Sequence, residues 1–271
     1  MCAAAPYKNI PGVTAEEIAA IETLKAGRDN FSYGSNLETE AFILPDGSYA
    51  GFSKKFCDLL SELFDITFVQ EIYDWDELMY KLDSRSLDFT GELTPTEERK
   101  LVYAMTFPIA ERLLRIFRHV NSDNIQTETD LDGLKIGFLE GTVTADSIEK
   151  TYSVSFQRVE VDNFDTAARM IENGEIDAFI DEAVADPIFD EHDFIRSAII
   201  FPMAHQPVSM TTANPELIPV ISVVNKYITA GGVDKLYELY KEGDFEYAKY
   251  KLNRSFTSEE KAYLDDLRKR G

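Results

Sequence analysis

Between residues 31 and 180 the sequence alternates short β-type runs with segments of helical period, and it does so twice. No other feature narrows the fold as much. Strands separated by helices pair in parallel and carry those helices on the faces of the sheet. In the first set, residues 31–35, 66–70 and 87–90 read as strands, the last ending at Gly91. Phe56, Leu59, Leu60, Leu63 and Phe64 recur at helical spacing over residues 53–64, and Trp75, Leu78, Met79 and Leu82 mark a second helix. In the second set, residues 134–139, 156–161 and 176–180 read as strands. Phe164, Ala167, Ala168 and Ile171 mark the helix between the last two, closed by Gly174. Residues 207–212 look extended. The remainder is helical: 215–230, stopped by Gly231-Gly232, then 233–241 and 245–252 as separate helices. Capping boxes of Thr14 with Glu17 and of Thr257 with Glu260 open a first and a last helix. The periodicity fits two domains in series as well as one domain interrupted by another.

A chain of 271 residues is long enough for two such units. Its net charge of −22 repels phosphate backbones, so nucleic acid is not expected as a partner, and the charge reads as a solvated surface. No apolar run reaches eighteen residues, so no direct membrane insertion is expected. No signal peptide is visible, and export would rest on a segment outside this sequence. Cys57 falls on the apolar face of a helix and reads as a buried small hydrophobe; Cys2 reads as a lipidated residue or, preferably, an artificial junction. His119, His192 and His205 lack ligand spacing, so neither a metal nor any other cofactor is expected.

In open parallel sheets, ligands sit outside the carboxyl ends of the strands. That rule selects three segments. The first runs from Gly91 and Glu92 through Thr94 and Thr96 to Arg99. Thr94 reads as an N-cap, with Pro95 at the first helical position and Glu97 completing a capping box. A helix start suits a carboxylate, and Arg99 can add a bidentate charged bond; a surface helix with a salt-bridged arginine has the same sequence. The second segment is Glu140-Gly141-Thr142, where a glycine turn presents a hydroxyl and an N–H; an ordinary strand-to-helix turn reads identically. The third is Asp181-Glu182. Asp181 follows an apolar strand and suits either an ammonium group or the N-cap of a following helix.

Four further runs carry a resemblance: residues 46–52 (Asp-Gly-Ser-Tyr-Ala-Gly-Phe), 73–88, 96–108 and 174–181. Their order resembles that of the bacterial solute-binding proteins, family 3. The resemblance spans roughly residues 28–252 and implies an α/β, two-lobed periplasmic binding protein type II fold, each lobe a mainly parallel sheet flanked by helices. Lobe one would comprise residues 1–117 and 211–271, and lobe two the inserted residues 118–210, with crossovers near 115–120 and 207–212. The family's carboxylate-binding arginine falls on Arg99, its ammonium-binding aspartate on Asp181 and its second-lobe anion loop on Gly141-Thr142. Three departures stand out. Lys55 replaces an acid and would alter the rim of the site. The 88–96 stretch is one residue short, leaving Thr94 or Thr96 as the ligand threonine. The covering aromatic is Tyr33 or Phe42. Residues 7–14, 38–42, 89–93 and 256–264 further resemble the extracellular domains of membrane-bound histidine kinases and diguanylate cyclases.

The implied function is binding of a small zwitterion, an amino acid or relative, in an extracytoplasmic domain tethered to the membrane in the full-length protein. Its partners would be that ligand and membrane-bound signalling modules or, as the alternative, an ABC permease. A cyclohexadienyl-dehydratase-like enzyme using Glu92, Glu140 or Glu182 as an acid is a further alternative. Without a nucleophile–base pair, metal cluster or nucleotide loop, an enzyme is not expected.

Overall fold

The computed structural model describes residues 7–257 and residue 260. The first half contains α1 (Ala15–Ala26), β1 (Asn30–Ser35), the short hairpin β2 (Phe42–Ile43) and β3 (Tyr49–Ala50), α2 (Phe52–Phe64), β4 (Thr67–Ile72), α3 (Trp75–Asp83), β5 (Phe89–Leu93) and α4 (Glu97–Val102). The long strand β6 (Ala104–His119) leads to β7 (Lys135–Leu139), α5 (Thr144–Thr151), β8 (Gln157–Val161), α6 (Phe164–Glu172), β9 (Ala178–Glu182), α7 (Asp186–Phe189) and β10 (Ile195–Ala198). The chain returns through β11 (His205–Thr212) to α8 (Ile218–Tyr227) and α9 (Val233–Ser255). The capping box before α1 forms: Glu17 N donates to Thr14 Oγ1 at 3.2 Å and Thr14 N to Glu17 Oε2 at 2.8 Å.

The strands order as β4-β1-β5-β11-β6-β9-β7-β8, with β10 also on β6. β4, β1 and β5 are parallel, as are β8, β7 and β9. These two parallel sets are joined by antiparallel crossover strands. β6 pairs with β11 over Ala104–Leu113 and then with β9 over Leu114–Arg118. The buried side chains divide accordingly. One core gathers Phe31, Phe56, Leu60, Phe68 and Phe89 with Val208, Met210 and Val223. Two neighbouring clusters gather Leu114, Ile136, Phe138 and Ile180, and Phe117, Val161, Ile171 and Phe179. Core membership changes between Ala110 and Leu114 and again between Ala204 and Val208, a few residues ahead of the boundaries drawn from the sequence. Each fully buried Phe or Leu contributes about 1.5–3 kcal/mol, so each lobe has its own driving force. Cys57 is fully buried in the first core.

Four local readings need correction. β5 does not end at Gly91 but runs to Leu93, because Gly91 lies in the strand beneath Tyr33, whose hydroxyl fills the space a Cβ would need. α4 is capped by Thr96, which accepts from Arg99 N at 3.1 Å; Thr94 stays buried ahead of it. β9 runs through Asp181 and Glu182, so Asp181 is a strand residue and not a helix cap. Residues 233–255 form one helix, not two. Gly243 continues it because α9 crosses α2 at that point: a Cβ there would stand 2.5 Å from Phe52 N. The closing capping box of Thr257 and Glu260 has its hydrogen bonds, whereas the helix expected beyond it, and Cys2, lie outside the described residues.

Candidate ligand-binding cleft

The two lobes meet around a cavity of about 50 Å³ into which β5, β9 and the turn after β7 converge. That volume is room for about four waters. Glu92, Thr94 and Arg99 line it from the first lobe, and Thr142, Asp181 and Glu182 from the second. Gly141 adopts φ +76°, the left-handed region that lets the chain turn from β7 towards α5.

Arg99 reaches across the lobes. Its Nη1 donates to Thr94 O at 3.2 Å and its Nη2 to Gly141 O, also at 3.2 Å. Two of its five donors are thus engaged, leaving the planar fork with capacity for a carboxylate. Burial lowers its pKa from the ordinary arginine value. Asp181 stands opposite in chemical character. It is buried, its Oδ1 accepts from Glu182 N at 2.7 Å, and its Oδ2 has no hydrogen-bond partner. Burial, assisted by the neighbouring Glu182 charge, pushes its pKa up to about 7. A buried carboxylate oxygen without a donor is costly, and an ammonium group would relieve it.

Beside these lies a buried network that sequence spacing did not reveal. Arg112, on β6, is 3% exposed. Its Nη2 donates to Glu38 Oε1 and Glu40 Oε2, each at 2.7 Å. Its Nη1 donates to Glu92 Oε2 at 2.9 Å and Glu182 Oε2 at 2.7 Å, and its Nε to Glu40 Oε2 at 3.2 Å. All five N–H groups of the guanidinium are therefore used, and Glu182 brings the second lobe into a cluster otherwise built from the first. Burial, opposed by the Arg112 charge, raises the pKa values of Glu38, Glu92 and Glu182. The signals available in the sequence were an arginine among the apolar residues of a long strand and the Glu38/Glu40 alternation, neither tied to the other.

The remaining site candidates lie elsewhere. Tyr33 is buried in the first core, edge-on to Phe56, and Phe42 packs on Tyr247 and Tyr250 of α9. Neither reaches the cavity; the aromatic rings on its wall are Trp75 and Phe164. Gly91 and Thr96 act in the backbone and the cap and do not line the cavity. Lys55 leaves the rim for Glu246 of α9, at 3.3 Å. Among the described residues, no His, Cys, Asp or Glu cluster is arranged to hold a metal.

Two parallel α/β lobes joined by crossover strands, with charged and hydroxyl side chains converging from both on one cleft, define a two-lobed binding protein. Residues 35–238 match the bacterial extracellular solute-binding proteins, family 3, and the chain belongs to that family. A search of curated proteins gave no match. Solved structures repeat the fold. An ancestral arginine-binding protein bound to glutamine superimposes with a TM-score of 0.61 at 22% identity, over 79% of this chain and 98% of that one. The BvgS periplasmic domain of B. pertussis gives 0.69 at 18%, over 90% of this chain and 48% of that one. An ancestral amino-acid-binding protein, a precursor of cyclohexadienyl dehydratase, gives 0.60 at 19%, over 82% and 98%. At these identities the likeness is one of fold: the type II periplasmic binding protein architecture.

Proposed function

We propose that this chain is an extracytoplasmic sensor domain that binds a small zwitterion, an amino acid or a close relative, between its lobes. Arg99 holds the ligand's carboxylate from lobe one and Asp181 its ammonium group from lobe two, with Thr94 and Thr142 adding hydrogen bonds. The observation that carries this reading is the pairing across one cleft of an arginine with spare donors and a buried aspartate oxygen without one. A zwitterion satisfies both at once, and only when the lobes are together, so it has higher affinity for the closed form and shifts the population towards it.

The division of the hydrophobic cores supports a discontinuous first lobe and an inserted second one. The hinge is then the pair β6 and β11. Binding rather than catalysis is supported by the acids of the cleft: Glu92 and Glu182 both accept hydrogen bonds from Arg112, which ties them into the buried network. A sensor role over a transport role is supported by α9. Leu236 and Leu239 anchor it in the first core, while Lys251 pairs with Asp190 of the second lobe. Lobe movement would therefore act on α9, which is tied to both lobes.

A thermal-shift screen over amino acids tests the proposal. A ligand at a hundred times its dissociation constant stabilises the native state by about 2.7 kcal/mol, and the Arg99→Ala variant should lose that shift. Shifts of equal size in the variant would place the ligand elsewhere.

A further inference from the structure

The charges around the cleft do not balance. Glu38, Glu92, Asp181 and Glu182 line the cavity, and Glu40 stands behind them on the same guanidinium, whereas the cations there are Arg99 and Arg112. Five carboxylates thus face two positive charges. Arg112 spends all five of its N–H groups on four glutamates and has none to offer a ligand. Two fully buried acceptors on residues that line the cavity have no hydrogen-bond partner: Asp181 Oδ2 and the amide oxygen of Gln206, whose residues are 7% and 4% exposed. The Gln206 amide is oriented by its own bond, Nε2 donating to Glu182 Oε1 at 3.3 Å, which leaves Oε1 the free end.

Buried acceptors without donors are satisfied by groups that bring N–H bonds, and buried negative charge by groups that bring positive charge. A zwitterion brings one ammonium and cancels it with its own carboxylate, so the excess on the wall stays. We propose that the ligand of this cleft carries a net positive charge and at least two nitrogen donor groups, one for Asp181 and a second for Gln206 and the adjoining Glu182. That is the chemistry of a cationic amino acid, whose carboxylate remains for Arg99. The proposal rests on the cleft reading above and narrows it from amino acids in general to those with a cationic side chain.

Calorimetric titration of the purified protein with two isosteric pairs tests it: L-arginine against L-citrulline, and L-lysine against 6-hydroxy-L-norleucine. Each pair keeps the shape and replaces one cationic group by a neutral one. At least one cation should bind ten-fold or more tightly than its neutral partner. In Asp181→Asn, which leaves the Arg112 bonds intact, that ratio should shrink because one carboxylate fewer faces the charge. Neutral partners binding as tightly as the cations, with proton uptake read from buffers of different ionisation enthalpy, would overturn the proposal: protons would then balance the wall. Preference for L-glutamate or L-glutamine over every cation, abolished by Arg99→Ala, would also overturn it while leaving the cleft reading standing. If none of these compounds nor any other amino acid binds, the cleft reading fails and this inference falls with it.

Discussion

Replacing Asp181 with asparagine should stabilise the ligand-free protein at alkaline pH, although it removes a group assigned to binding. The carboxyl is buried, one oxygen has no partner, and its pKa is raised from 3.8 to about 7. An acid with a raised folded-state pKa favours the fold in its neutral form. That contribution is complete below the unfolded value of 3.8 and is lost as pH rises through about 7. At about 1.4 kcal/mol per pH unit, the loss across the window is about 4 kcal/mol, of which about 2 kcal/mol falls between pH 5.5 and pH 8. Asparagine does not titrate, but its buried amide finds donors and acceptors imperfectly, at a cost of about 1–3 kcal/mol. Urea unfolding at pH 8 should therefore show Asp181→Asn more stable than the parent by about 1–3 kcal/mol, with the advantage smaller by about 2 kcal/mol at pH 5.5. The raised glutamates Glu38 and Glu92 slope the same way in both proteins and drop out of the difference, and the Glu182 charge is already counted in the Asp181 shift. Parallel pH profiles for parent and variant would refute the reasoning, because the charge on Asp181 would then not be an unrelieved burden on the apo fold.

Three other outcomes follow from the same geometry. Arg99→Ala should leave the circular dichroism spectrum and urea midpoint nearly unchanged, since its bonds go to two backbone carbonyls, while calorimetric affinity for a carboxylate ligand falls by about 2–5 kcal/mol. Arg112→Leu strands four buried glutamates and should destabilise the protein by about 3–5 kcal/mol in urea unfolding at pH 7; a loss below about 1 kcal/mol would mean that the network is solvated. Gly243→Ala should lower the thermal midpoint despite alanine's better helix propensity, because the new methyl meets the Phe52 backbone, which cannot yield as a side chain can; a raised midpoint would show that α9 and α2 separate freely.

The helix at Phe52–Phe64 was legible because Phe56, Leu60 and Leu63 repeat at its period, and the Thr14 cap because its two partners are three residues apart. Arg99 and Asp181 were legible as chemistry at strand ends, a property of position in the chain. Their surroundings were not. β5 and β9 run past the points where Gly91 and Ile180 seemed to end them, because sheet pairing and burial on all sides override the local turn signal of a glycine or an acid. Arg112 stayed hidden because its partners lie 20, 70, 72 and 74 residues away, at no spacing that local periodicity can register. Tyr33 and Phe42 were chosen for their ring type alone. Packing gave them to the core and to α9, and gave the cavity wall to Trp75 and Phe164. The helices read at 233–241 and 245–252 are one, with Gly243 at the crossing of α9 and α2, a contact that exists only once two helices touch.

In the proposed site one ligand is held by both lobes at once. Hydrogen exchange with and without a saturating amino acid found in the thermal-shift screen measures this residue by residue. Backbone amides at 92–99 in the first lobe should slow together with those at 141–144 and 181–185 in the second, with the crossover strands 104–119 and 205–212 changing less. Protection confined to one lobe, or arising away from these three segments, would contradict the account.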